Sequence, residues 1–161
     1  MPDEWRFPNQ ATPVGSSAYY SLRFAPRDRR GDLAVLSAWQ YQVQAILDRV
    51  ADPGVVRIKL QWWREELERT FAGTPHHPLS RVLQPVLERH GLPQPPFTDI
   101  ADQVEAEILR RQPGTEADLD AACERDLSTL FELIARCHGL NDAHVLRGPG
   151  AVSGASAPKS I

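Results

Sequence analysis

Residues 33–50 read LAVLSAWQYQVQAILDRV, and the spacing of their apolar side chains decides the fold class. Leu33, Leu36, Val43, Leu47 and Val50 recur at helical intervals, with Gln40 completing the run, which is the pattern of one face of an α-helix. Val35, Trp39 and Ile46 widen that stripe, so the helix is expected to be buried on more than one side and to stand at the centre of the molecule. Tyr41, Gln42, Gln44 and Asp48 sit inside the same segment. Polar groups in a core segment need partners or serve chemistry, so these four either line a partly solvated groove or bond one another.

Upstream, residues 1–15 contain Pro2, Pro8, Pro13 and Gly15 and predict an extended arm, pinned by Trp5 and Phe7. Ser16 or Ser17 can cap a short helix, SAYYSLRF, that ends before Pro26. Pro26 suits the first turn of the central helix. Arg23, Arg27, Arg29 and Arg30 cluster at this junction. A solvated helix start is the ordinary reading of such a run, and an anion-binding rim is the sharper one.

Downstream, Asp52-Pro53-Gly54 breaks the chain before VVRIKLQWWREELERTFAG. Val56, Leu60, Trp63, Leu67 and Phe71 form its inner face, Glu65, Glu66 and Glu68 are expected outside, and Gly73 supplies the stop. Tandem Trp62-Trp63 reads as one core and one rim side chain rather than a ligand platform. After Pro75-His76-His77-Pro78, LSRVLQPVLERHG predicts a helix bent at Pro85 and closed by Gly91. Adjacent histidines on such a turn rarely converge on one ion, so no metal site is expected there. LPQPPF is a rigid connector, and Thr98 is expected to cap TDIADQVEAEILRR, whose acids precede Arg110 and Arg111 in the order that suits the helix dipole. Pro113-Gly114 breaks again before a last helix from Thr115 to Gly139. Residues 141–161 are rich in Gly, Ala, Ser and Pro and read as a disordered tail. No strand pattern or internal repeat is present, so the chain is expected to be an all-α helical domain over residues 16–140.

The composition bounds the partners. A chain of 161 residues with 42% hydrophobic and 24% charged residues is one ordinary globular domain. A net charge of −3 argues against a nucleic-acid partner. No apolar run reaches membrane-spanning length, and MPDEWRFPNQ lacks a basic segment followed by an apolar one. The expectation is a cytoplasmic protein able to rest on the inner face of a membrane. Cys123 and Cys137, on one expected helix, would lie about 21 Å apart along its axis, beyond the roughly 7 Å a disulfide spans. They are expected to be packed, reduced thiols.

GSSAYYSLRFAPRDRR, followed by LAVLSAWQYQVQAILDRVADP and IKLQWWREELERTFAGTPHHPLSRVLQPVLERHGLPQPPFTDIADQVEAEI, resembles the squalene and phytoene synthase family. WWREELERTFAGTPHHP is the most specific part, and the likeness covers about the N-terminal half of the family's domain. The resemblance implies the first half of the isoprenoid synthase fold, in enzymes that join two isoprenyl diphosphates head to head. It also implies an aspartate-rich first motif whose carboxylates hold magnesium ions against the leaving diphosphate. The matching positions here read Gln44-Ala45-Ile46-Leu47-Asp48, so Asp48 is the sole remnant of that metal site. The diphosphate-binding arginine just upstream is replaced by Tyr41. A further aspartate matches Glu107, a tyrosine matches Ala122, and no second aspartate-rich pattern follows Gly139.

These departures resemble a non-catalytic branch of the family that includes a mitochondrial factor for respiratory complex I assembly. The protein is expected to act as a binding or assembly subunit, without a cofactor. The alternative is a prenyltransferase subunit that takes magnesium only when a partner chain completes the site. Remnant diphosphate or groove candidates are Arg23, Arg27, Arg30, Tyr41, Gln44, Asp48 and Glu107. Apolar residues on both sides of the central stripe suggest a homo-oligomer or a complex with a second family-like chain, and an isoprenyl diphosphate or other lipid is the expected ligand.

Overall fold

The computed structural model describes residues 1–50, 52–110 and 133–138. Among these residues, five helices follow a 3-10 turn at Asp3–Trp5: α1 (Ser17–Arg23), α2 (Arg27–Arg49), α3 (Pro53–Phe71), α4 (Pro78–His90) and α5 (Pro95–Arg110). A further helical turn lies at residues 133–137. No strand occurs among the described residues, and the fold class is all-α, as the periodicity predicts. The other expectations for residues 111–132 and 139–161, including the Pro113-Gly114 break, Cys123 and the tail, lie outside the described residues.

The central position of α2 follows from its side chains. Asp32, Leu33, Ala34, Val35, Leu36, Ala38, Trp39, Val43, Ala45 and Ile46 are buried, so the stretch 32–39 is enclosed on nearly every side. It packs against α1, α3, α4, α5 and the N-terminal turn. Trp39 is the middle of the core, with Trp63 at 6.4 Å and Phe97 at 5.0 Å between ring centroids, both edge-on. Phe71 reaches Phe97 from the end of α3, at 5.9 Å.

α2 starts at Arg27 with Pro26 as its N-cap, which agrees with the expected place of Pro26 at the head of the central helix, and the helix runs unbroken through RDRRGD into the apolar stripe. One helix boundary differs from the sequence expectation. α5 starts at Pro95, so Thr98 is not its cap. Proline suits a helix's first turn, where its missing N–H has no partner to lose, and the Gln94 carbonyl accepts from both Phe97 and Thr98. The remaining signals act where they were read. Asp52 accepts from the Val55 N–H at 3.0 Å at the head of α3. Ser16 accepts from Tyr19 at the head of α1, also at 3.0 Å. Gly91, in the left-handed region at φ 57°, ends α4, which runs on across Pro85.

The N-terminal arm is folded into turns rather than extended. Trp5 is buried in the core, and the Asn9 amide donates to the carbonyls of Trp5 and Ala34 at 3.2 and 3.0 Å. Phe7 stacks on Tyr19 at 5.2 Å. Arg30 closes this corner. Its Nε donates to the Leu22 carbonyl at 3.0 Å, and one terminal nitrogen donates to the carbonyls of Arg23 and Ala25 at 2.6 and 3.2 Å. Its guanidinium also lies 5.6 Å from the centre of the Phe7 ring. The last carbonyls of a helix have no partner within it, and a cation there also favours the dipole. Arg30 therefore caps α1 from the first turns of α2.

Truncating it, Arg30→Ala, is expected to cost about 1–3 kcal/mol in urea unfolding, the range for charged hydrogen bonds to backbone. Lysine at this position should recover only part, since one ammonium cannot span three carbonyls. An Arg30→Ala variant as stable as the parent would show that this cap is idle.

Candidate functional site

Tyr41, Gln44 and Asp48 lie within two turns of one another on a single face of α2. Tyr41 is 37% exposed, Gln44 is half-buried and Asp48 is exposed. This face presents a phenol, an amide and one carboxylate. Magnesium demands near-octahedral oxygen ligands and is commonly held through carboxylates, so this donor set does not fit a magnesium cluster. Among the described residues no group of three or more His, Cys, Asp or Glu side chains is placed to hold a metal ion.

The arginines are not gathered on that face. Arg30 lies about 16 Å along the α2 axis from Tyr41 and is engaged with the carbonyls of α1. Arg23, at the end of α1, is exposed and donates to the Tyr19 hydroxyl at 3.0 Å. Arg27 is exposed at the first position of α2. Glu107 is half-buried near the end of α5 and lies 3.8 Å from Arg110. Of the seven residues singled out from sequence, three share that face, while Arg23 and Arg30 meet at the α1–α2 corner instead.

A second constellation was hidden in the sequence. Glu66, expected among the outward-facing acids of α3, has no exposed surface. One of its oxygens accepts the backbone N–H groups of His76 and His77, both at 2.7 Å. Arg69 donates to the other oxygen at 3.0 Å. Burial alone would push this carboxyl up, but the two backbone donors, Arg69 and Ser80 outweigh it and hold the group below its ordinary value. Prolines flank the His-His pair, so its two N–H groups are the only backbone donors between Pro75 and Pro78, and Glu66 takes both.

That grip places His77. Its Nδ1 accepts from the Leu79 N–H at 3.2 Å, which caps α4 and leaves the ring proton on Nε2. Burial lowers its affinity for a second proton, against the opposing charges of Glu66 and Glu4, so the imidazole is neutral near pH 7. Trp62 and Trp63 meet it edge-on at 5.8 and 5.0 Å. Trp63 is core and Trp62 is rim, as the sequence suggests. The three rings form one wall of an open cavity of about 310 Å³ between α2 and α3, which Gln42, Ile46, Arg49 and Lys59 complete. The signal for it was Gln42, Ile46 and Arg49, spaced four and three residues apart along one face of α2.

Two buried acids are expected to make the protein acid-labile. For Asp32, burial raises the carboxyl, yet hydrogen bonds from Arg89 and His90 hold it below its ordinary value of 3.8. Glu66 is likewise held below 4.5. A lowered carboxylate contributes stability that is complete above its unfolded value and is lost as pH falls through the folded one. Unfolding midpoints should therefore drop steeply below about pH 4.5, and Glu66→Gln should flatten that dependence while lowering stability at pH 7 by about 1–3 kcal/mol. An unchanged acid limb in Glu66→Gln would refute this account of the turn.

Comparison with known proteins agrees with the architecture. The chain is 31% identical over 141 residues to a presqualene diphosphate synthase of Rhodopseudomonas palustris, covering 84% of this chain and 48% of that protein. It is 22% identical over 127 residues to human NADH dehydrogenase (ubiquinone) complex I, assembly factor 6, covering 78% and 38%. A phytoene synthase of Arthrospira platensis is 24% identical over 129 residues, covering 80% and 42%. The chain thus spans less than half the length of each of these relatives. No solved structure matches it. A family model for squalene/phytoene synthase matches residues 11–152, most of the chain, and the protein belongs to that family.

Proposed function

We propose that this chain is a member of the family that does not join isoprenyl diphosphates by itself and works as a binding or assembly subunit. The observation that carries the reading is the α2 face on which Tyr41, Gln44 and Asp48 stand where the family's arginine and first aspartate motif are expected. Head-to-head condensation must ionise two diphosphates, and the charge that stabilises each leaving group comes from clamped magnesium and arginine. A phenol and an amide supply neither. Similarity to a complex I assembly factor supports an assembly role for a family member of this kind.

One observation favours a second reading. Asp48 keeps a carboxylate at the last position of the motif, and similarity to a presqualene diphosphate synthase links the chain to the catalytic branch. On that reading a second copy or another family-like chain supplies the missing acids, and magnesium enters only in the complex. Both readings take an isoprenyl diphosphate or a related lipid as ligand and a cytoplasmic protein at the inner face of a membrane. Among the described residues no helix is long and apolar enough to cross one.

The chain should release no diphosphate from farnesyl or geranylgeranyl diphosphate with magnesium, at least about a thousandfold below a family enzyme assayed in parallel. Formation of a condensed product by the chain alone would overturn the main reading. Product formed only after a second family-like chain is added would establish the alternative.

A further inference from the structure

The cavity between α2 and α3 is built for a different kind of contact. The chain carries a net charge of −3, yet among the described residues no carboxylate lines this cavity. Its polar lining is Gln42, Arg49, Lys59 and His77. Arg49 and Lys59 have no ion-pair partner among the described residues. His77 spends Nδ1 on the Leu79 N–H, so the nitrogen left over is a donor. The lining thus offers two cations, an imidazole N–H and an amide.

The apolar side of the cavity is equally distinct. Ile46, Trp62 and Trp63 form its wall, and Trp62 is 41% exposed. From Trp62 an exposed stripe continues along α3 through Ile58, 71% exposed, to Val55, 43% exposed. These three are spaced four and three residues apart, so they share one face of the helix. Large apolar side chains aligned beside paired cations are the complement of a molecule with an anionic head and a hydrocarbon body.

We propose that this cavity binds a phosphate-bearing amphiphile, with the phosphate between Arg49 and Lys59 and its hydrocarbon part on Trp62, Ile58 and Val55. Two cations match a dianionic phosphate monoester, and Gln42 and His77 add directional donors. Gln42, Ile46 and Arg49 lie on a different face of α2 from Tyr41, Gln44 and Asp48, roughly 130° around the axis, so the site does not depend on the reading of that face. It is also preorganised, because Glu66 fixes the backbone on which His77 sits.

The test uses the full chain, with octyl phosphate as probe and tryptophan fluorescence and calorimetry as readouts. Octyl phosphate should bind at least about tenfold more tightly than inorganic phosphate, octanol or octyltrimethylammonium. Replacing both cations, Arg49→Gln with Lys59→Gln, should weaken octyl phosphate by at least about tenfold. Both side chains are exposed, so an unchanged circular dichroism spectrum separates lost binding from lost fold. Trp62→Ala should weaken octyl phosphate and leave inorganic phosphate unchanged. Cosedimentation with phosphatidylcholine vesicles containing phosphatidic acid, lost in the double variant, would identify the phosphate as a membrane headgroup. Binding of the free amphiphile without such cosedimentation would identify a soluble one. Failure to bind either, equal binding by the double variant, or equal binding of octyltrimethylammonium would overturn the proposal.

Discussion

A single buried carboxylate decides how the second half of the described structure meets the first. The turn after α3 contains two prolines, which donate nothing, and two histidines, whose N–H groups both point at Glu66. The turn itself is only partly buried, but Glu66 is wholly so, and a buried carboxylate needs donors, so the two N–H groups and the acid hold one another in place. With the turn closed, His77 caps α4, and α4 lies against α2, where Leu79, Leu83, Val86 and Leu87 are buried. The wall of the α2–α3 cavity depends on the same bond, because His77 belongs to both.

Three further helix contacts carry a polar tie beside an apolar seam. Asp32, 7% exposed on α2, accepts from Arg89 at 2.5 and 2.6 Å and contacts His90 at 2.7 Å, which links α2 to the end of α4. Arg64 on α3 reaches Asp102 at 2.5 Å and Glu105 at 2.7 Å on α5. Arg30 joins α2 to α1. Ion pairs near solvent contribute little net stability, so the burial around Trp39 remains the source of cohesion. What the polar ties add is register, since a helix shifted by one turn would leave Asp32 or Glu66 buried without donors.

The fold was legible where the pattern was long and periodic. α2 and α3 were readable from stripes of Leu, Val and Trp, and their ends from Asp52 and Gly73. The start of α5 was misread because Thr98 is a familiar cap, while the Pro95-Pro96 pair that actually opens the helix resembles connector. Glu66 was misplaced for a related reason. Its neighbours Glu65 and Glu68 are exposed, and single-sequence periodicity cannot tell a solvated acid from one that serves a turn ten residues away. The α2 face bearing Tyr41, Gln44 and Asp48 was legible through family resemblance. The cavity between α2 and α3 was not, since it needs two helices and a loop to exist.

Asp32 has a neighbour in the helical turn at 133–137. Cys137 there is 1% exposed, and burial, with Asp32's negative charge adding to it, pushes its thiol up to about 11. Thiolate is the reactive form, so a docked Cys137 is almost inert to alkylation at neutral pH. Its modification, mapped by mass spectrometry, therefore counts the molecules in which this segment has lifted from the core. The residue is a clock for local opening that the chain carries without any added label.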